Sequence, residues 1–303
     1  MPWGCVQMDS QYSYGDAVAD FRSEILAVLG SAPDHIVPDG EPHRFRVEGD
    51  KRSKRSGWYI MHLDGVPAGS FGNWKTGQKE TWSKVDRNRL TAREQAEIQR
   101  HFREQQAKAA RKRQEAQDEA AEKVRKLWEW AKPADPMHPY LQNKQMPPMQ
   151  LRQHGDVLLV PLTDGHRMVN LQRIFPDGSK RFYPGGRVSG CWSPIEGDKG
   201  PLYICEGWAT GATINKLTGH LVVCAMNAGN LTHVAKAMRE RYPDRYLVIA
   251  GDNDRFTDGN PGKAAAIDAA RAVGGEWKIP DFPEGEKGTD YNDRYLLELE
   301  GKL

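Results

Sequence analysis

A chain of 303 residues, 38% hydrophobic and 28% charged, with 30 Gly and 19 Pro, has room for about two domains of 100 to 200 residues. It is too apolar for disorder throughout and too aperiodic for collagen or a solenoid. The formal charge of +2 hides an asymmetry, net +5 over residues 1–200 against net −3 over 201–303, which suits a protein that holds a polyanion with one part and a cation with another.

No apolar run approaches the ~18 residues of a membrane helix, and the opening MPWGCVQMDSQYSYGD lacks the basic start and apolar stretch of a signal peptide. A location in the cytoplasm, with no membrane partner, is the expectation. Cys5, Cys191, Cys205 and Cys224 form no C-x-x-C pair, so neither a zinc ribbon nor a disulfide framework is written, and buried reduced thiols are expected.

Along the chain, Val18, Phe21, Ile25, Leu26 and Leu29 recur at helical spacing before Gly30, predicting a short opening helix. From His43 to about Trp82, short runs rich in Trp, Tyr, Phe and Val alternate with Gly, Asp and the basic loop KRSKR at 51–55, predicting a small antiparallel sheet. Arg44, Arg46, Lys51, Arg52, Lys54, Arg55, Trp58, Tyr59, Trp74, Lys75 and Trp82 interleave cations with aromatic rings, the combination that binds single-stranded nucleic acid by stacking and phosphate attraction. The alternative, that half of these rings form the core of the sheet and the loop is merely solvated, stands beside it.

Residues 87–126 contain neither Gly nor Pro and carry net charge +5, which predicts one long helix with a solvent-exposed middle, stopped by Pro133, Pro136 and Pro139. HPYLQNKQM then reads as a short helix. DVLLVPLTD, MVNLQRIFPDG and SKRFYPGG read as strands joined by the turns Asp164-Gly165 and Pro176-Asp177-Gly178. This second antiparallel sheet presents Lys144, Arg152, Arg167, Arg173, Lys180, Arg181 and Arg187, cations suited to triphosphate and template backbone. From Pro201 strands and helices alternate, predicting a parallel sheet covered by helices, whose ligands bind beyond the carboxyl ends of the strands.

At those ends stand Glu206, the pair Asp252 and Asp254, and Asp290 with Asp293. Carboxylates gathered at one edge repel each other unless a cation sits among them, and oxygen-only donors favour Mg2+ or Mn2+ over zinc. Each element alone is common by chance, and Asp290 has the plainer reading of a helix N-cap.

The strings YICEGWATGATI, YLVIAGDND and GTDYND resemble the glutamate motif, the Asp-x-Asp motif and the third acidic position of the Toprim domain shared by DnaG-type primases, topoisomerases and some nucleases. Gly262 to Ala266 resembles the Gly-x-x-Ala helix that follows Asp-x-Asp in primases. HPYLQNKQM and the basic hairpins resemble the segments that precede Toprim in DnaG-type primases, and residues 43–82 are similar to segments preceding Toprim in phage and plasmid primases.

The resemblance implies an α/β fold: a Rossmann-like Toprim domain over 199–303, preceded by a basic hairpin subdomain at 132–198, a charged helical linker at 86–131 and a small α+β domain at 1–85. It implies a DNA primase that makes short RNA primers on single-stranded DNA from NTPs. Glu206 would be the acid/base or metal-positioning residue, and Asp252, Asp254 and Asp290 would hold the metals. Lys180 and Arg181 are the first candidates for charge neutralisation. The zinc-binding module common in this family has no ligand set here, and GNPGKA at 259–264 is not a P-loop, so any replicative helicase would be a separate partner. A Toprim nuclease and a non-catalytic single-strand-binding replication factor are the competing readings.

Overall fold

The computed structural model describes residues 14–50, 54–63, 66–84 and 92–303; Cys5, Lys51 and Arg52 lie outside the described residues. The chain divides into two compact units, Met1–Ala109 and Ala110–Leu303.

In the first unit, α1 (Tyr14–Leu29) is followed by β1 (His43–Phe45), β2 (Gly57–His62), β3 (Ala68–Asn73) and β4 (Gln78–Ser83), an antiparallel sheet in the order β1-β2-β3-β4. Ala17, Phe21 and Ile25 are spaced by one helical turn and fully buried, and Phe21 packs edge-on against Tyr59 and Phe71. The buried stripe is narrower than the sequence spacing implies, because Leu26 is exposed. Strand β2 alternates buried and half-buried positions, as expected when one face of a sheet is covered and the other is open.

Helix α2 (Ala92–Trp130) contains the division between the units. Its described side chains are exposed through residue 116, as its charge pattern predicts. Ala120, Ala121 and Val124 are buried, and Val124 joins Leu127, Trp128, Leu159 and Leu171 in one cluster. Small alanines on a charged helix read as solvated surface in the sequence, yet here they allow close approach.

The second unit contains two sheets. One is antiparallel, β5 (Lys132–Pro133), β6 (Arg152–His154), β7 (Val157–Thr163), β8 (Met168–Ile174) and β9 (Lys180–Phe182) in sequence order, with α3 (Pro139–Lys144) between β5 and β6. Leu158, Val160, Leu162 and Ile174 face one core, and Leu159 and Leu171 face the cluster beneath α2. Burial on both faces explains the nearly unbroken apolar run of β7.

The other sheet comprises β10 (Ser193–Ile195), β11 (Asp198–Cys205), β12 (His220–Cys224), β13 (Leu247–Ala250) and β14 (Glu276–Lys278), in the order β10-β12-β11-β13-β14. It is parallel except for β10 against β12. Helices α4 (Trp208–Thr218), α5 (Leu231–Arg241), α6 (Pro261–Val273) and α7 (Tyr291–Leu299) complete the unit. Leu202, Ile204, Val223, Leu247 and Ile249 form a core with α5 and α6, while Cys205, Val222, Cys224 and Ala250 face α4 and the antiparallel sheet. The α/β sheet therefore begins at Ser193, earlier than the boundary at 199 that the sequence implied. Pro194 hid β10, but proline is tolerated on an edge strand, where no ladder donor is required. Cys191, Cys205 and Cys224 are buried free thiols, and no helix among the described residues is long and apolar enough to cross a membrane.

Candidate active site

Strand β11 lies between β12 and β13, so the chain leaves the centre of the sheet in both directions and opens a crevice at the carboxyl ends of the strands. Cys205 pairs with Ala250 in the parallel register, so Glu206 and Gly251 step off adjacent strands side by side, with Asp252 next. Two glycines allow the loop after β13 to lie against α6. A Cβ on Gly251 would stand 2.5 Å from the Ala266 Cβ, and one on Gly262 would stand 2.7 Å from the Asp252 carbonyl oxygen and 2.8 Å from the Asp254 Oδ2. The Gly262 N–H donates to that Oδ2 at 2.9 Å, near the positive end of the helix.

Asp290 is the N-cap of α7, as its plainer reading anticipated, and its Oδ1 accepts from the Asp293 N–H at 2.8 Å. Asp293 reciprocates through Oδ2, which accepts from the Thr289 N–H at 3.1 Å. The capping role coexists with a place among the other carboxylates. Burial, then the charges of Glu206, Asp290 and Asp254, push the Asp252 carboxyl up to about 8, with Lys180 opposing. Burial and then the Asp254 charge raise Glu206, opposed by Lys180 and by a hydrogen bond from the Ala228 N–H. Asp290 is raised by burial and pulled back by Lys144.

Asp252 Oδ1 is buried without a hydrogen-bond partner, an arrangement that costs about 1–3 kcal/mol unless something occupies it. Hard oxygen donors around an unsatisfied buried carboxylate fit a divalent cation of the Mg2+ or Mn2+ kind. As the side chains stand, no group of three His, Cys, Asp or Glu among the described residues is placed to hold a metal ion, so an ion here would take the rest of its oxygens from water or substrate, as Mg2+ commonly does.

The cations anticipated from sequence separate into distinct groups. Lys180 acts electrostatically on both Glu206 and Asp252, and its ammonium stands 5.6 Å from the Tyr140 ring centroid. Lys144 lies 3.4 Å from Asp293 Oδ1. Arg181 differs from its neighbour, since it pairs with Arg173 and leans on Phe175, on the opposite side of β9 by strand alternation.

The remaining arginines are engaged internally. Arg152 donates to the Trp128 carbonyl at 2.7 Å and stacks on its ring, and Arg167 pairs with Asp118. Arg173 leans on Tyr183, and Arg187 bonds Asp164 at 2.9 Å. In the other unit, Arg44 and Trp74 are exposed and Trp58 is half-buried. Tyr59, read from sequence as a candidate stacking ring, is 2% exposed, with its hydroxyl accepting from the Val37 N–H. Alternation along β2 sends it into the core while Trp58 stays on the open face.

Sequence reasoning missed the polar groups that hold the acidic loops. Asn253 donates its N–H to the Thr289 carbonyl at 2.7 Å and its side-chain amide to the Pro280 carbonyl at 2.9 Å. Asn292, fully buried, reaches both α3 and α4. Both asparagines sit within the very strings that carry the acidic motifs, where a non-titrating amide is easily passed over.

Residues 201–301 match a family model described as Toprim domain, which agrees with the motifs read in that region. Two proteins from Escherichia coli, both named DNA primase TraC, are similar to the chain. One is 34% identical over 309 aligned residues, covering 95% of this chain and 29% of that protein. The other is 37% identical over 266 residues, covering 84% of this chain and 18% of that protein. The chain thus spans less than a third of the length of either relative. A solved complex of the bacteriophage T7 lagging-strand DNA polymerase with primase domains bound to an RNA/DNA hybrid and dTTP aligns with TM-score 0.37 and 12% identity, covering 54% of this chain and 82% of the solved chain.

Proposed function

We propose that the chain is a DNA primase core of the mobile-element kind, which synthesises short RNA primers on single-stranded DNA by metal-dependent nucleotidyl transfer. The observation that carries this reading is that Glu206 and the loop of Asp252 and Asp254 leave adjacent strands side by side at the carboxyl ends of β11 and β13, in a chain similar to a protein named DNA primase TraC over 95% of its length. Asp252, Asp254 and Asp290, with Glu206 beside them, are the residues to hold Mg2+ or Mn2+. Such ions lower the cost of the attacking 3′-oxygen and of the departing pyrophosphate.

The protein's own part is positional and electrostatic. Glu206, with its carboxyl raised by burial and by Asp254, is a stronger base than an exposed glutamate and is the group to take a proton from the attacking hydroxyl. Lys180 and Lys144, at the rim of the acidic crevice, neutralise incoming polyphosphate. Lys263 and Lys287 add cations to the same acidic third of the chain.

The test is incubation of purified protein with Mg2+ or Mn2+, single-stranded DNA and labelled NTPs. Oligonucleotide products that vanish in Asp252→Ala and Asp254→Ala support the reading. Shortened template identifies a Toprim nuclease, and neither product leaves a non-catalytic binding protein.

A further inference from the structure

The open face of the N-terminal sheet carries a feature that catalysis at the Toprim carboxylates does not use. Residues directly opposite each other on antiparallel strands share a face, and the register places Arg44 opposite Trp58, Trp58 opposite Gly72, and Gly72 opposite Lys79. One row across all four strands therefore reads cation, indole, glycine, cation. At about 4.8 Å per strand the backbone positions of Arg44 and Lys79 stand about 14 Å apart.

Gly72 is required by this arrangement. A Cβ there would stand 3.0 Å from the Trp58 ring and 2.2 Å from the Gln78 carbonyl oxygen, so the missing side chain leaves the room that the indole takes. Trp74, 64% exposed, has its backbone N–H fixed to the Ser56 carbonyl at 3.0 Å. It sits 5.7 Å from Trp58 at an interplanar angle of 38°, with the Arg44 guanidinium 5.8 Å from its ring centroid.

The next row, Ile60 with Ser70 and Thr81, carries no carboxylate, and the row beyond it, His62 with Ala68 and Ser83, meets one only at its far end, where Asp39 bridges to His62. The covered face is already filled by Phe21, Tyr59 and Phe71, so Trp58 and Trp74 are not needed for that core.

We infer that this face is a binding site for single-stranded nucleic acid, with bases stacked on Trp74 and Trp58 and phosphates met by Arg44 and Lys79. Two tilted indoles held open between cations match a strand with unpaired bases and a charged backbone. A duplex hides its base faces and cannot use the rings. The site stands independently of the catalytic reading, since it needs neither the carboxylates nor a metal.

The experiment measures anisotropy of a labelled oligodeoxythymidylate on the full chain, in EDTA and without NTPs so that no metal-dependent contact at the acidic crevice contributes. Arg44→Ala combined with Trp74→Ala is expected to weaken binding by about tenfold or more and to flatten the salt dependence by about one phosphate contact. Trp74→Phe, which keeps a ring, should restore most of the loss, and Trp130→Ala, removing a ring 76% exposed elsewhere, should change nothing. Asp252→Ala should bind as the parent does, so that loss of primer synthesis and loss of strand capture are read separately. Parent-like binding by the Arg44/Trp74 variant, or equal affinity for a blunt duplex, would overturn the inference.

Discussion

The side-chain amide of Asn292 donates to the Lys144 carbonyl at 2.8 Å, joining residues 148 apart in sequence. The same Nδ2 donates to the Thr213 hydroxyl at 3.0 Å. One buried amide thus fixes the first turn of α7, and with it Asp290, against the end of α3 and the middle of α4. Lys144 itself pairs with Asp293, so the acidic helix end and the basic sheet subdomain are tied by a neutral bond and an ionic one.

Asn292→Ala should cost about 1–3 kcal/mol, because it strands a buried carbonyl and removes one partner of a buried hydroxyl. If the bond also positions Asp290, the Mg2+ concentration for half-maximal primer synthesis will rise, while Asn292→Asp, which keeps the shape, will not behave as a simple repair because it adds a carboxylate between Asp290 and Asp293. Urea denaturation combined with a Mg2+ titration reads both effects. A stability loss with an unchanged Mg2+ requirement would reduce Asn292 to a packing residue.

The carboxyl of Asp252 provides a pH dependence with a defined sign. Its pKa is raised in the folded protein to about 8 from an ordinary value near 3.8, so the fold binds this proton more tightly than the unfolded chain does. Its contribution is present below about pH 4 and is lost as pH rises towards 8. In EDTA, thermal stability should therefore decline across that window. Asp252→Asn should flatten the decline and raise Tm near pH 8, by roughly 2–4 °C for each kcal/mol relieved, while abolishing primer synthesis. Adding Mg2+ to the parent should restore stability at the alkaline end with release of protons. Identical melting profiles for parent and variant would mean that the carboxylates relax apart without strain.

Lys180 and Arg181 are adjacent in sequence and should separate in function. Only Lys180 acts on Glu206 and Asp252; Arg181 lies with Arg173 and Phe175. Lys180→Ala should raise the KM for NTP several-fold with a smaller change in kcat, and Arg181→Ala should leave both near the parent value. Steady-state primer synthesis with saturating template decides it, and equal effects from the two variants would dissolve the distinction.

The acidic positions were legible in the sequence because a strand followed at once by a carboxylate needs only local pattern, and YICE and VIAGDND supply it. The helix–strand alternation after Pro201 was legible for the same reason. What was hidden depends on which face a residue takes. Trp58 and Tyr59 look equivalent in a string, but a period of two sends one to the open face and one to the core. Arg152 and Arg187 look like phosphate ligands until their partners Trp128 and Asp164 are placed beside them by long-range pairing. Ala120 and Ala121 carry no apolar signal strong enough to announce contact, and β10 was masked by Pro194. Each miss required knowledge of an element distant in sequence.

Gly262→Ala tests whether the close approach of α6 to the Asp-x-Asp loop serves the site. In an ordinary exposed helix this change would be favourable by about 0.8–1.0 kcal/mol. Here the new methyl would stand under 3 Å from both the Asp252 carbonyl oxygen and the Asp254 carboxylate, and one of those neighbours is backbone that cannot swing aside. The steric term should win, pushing the loop outward and lengthening the hydrogen bond by which the Gly262 N–H holds Asp254. Expected are a loss of about 1–3 kcal/mol and a fall in primer synthesis larger than the stability change explains, partly recovered at high Mn2+. Gly207→Ser is the matched comparison: it lies one residue after Glu206 at the N-cap of α4, where a Cβ meets nothing within 4 Å, and serine is a favoured capping residue. That variant should melt at or above the parent temperature and keep its activity. Differential scanning fluorimetry and primer synthesis on the two variants separate close packing from general sensitivity to added side chains, and full activity in Gly262→Ala would show that the loop yields without consequence for the carboxylates.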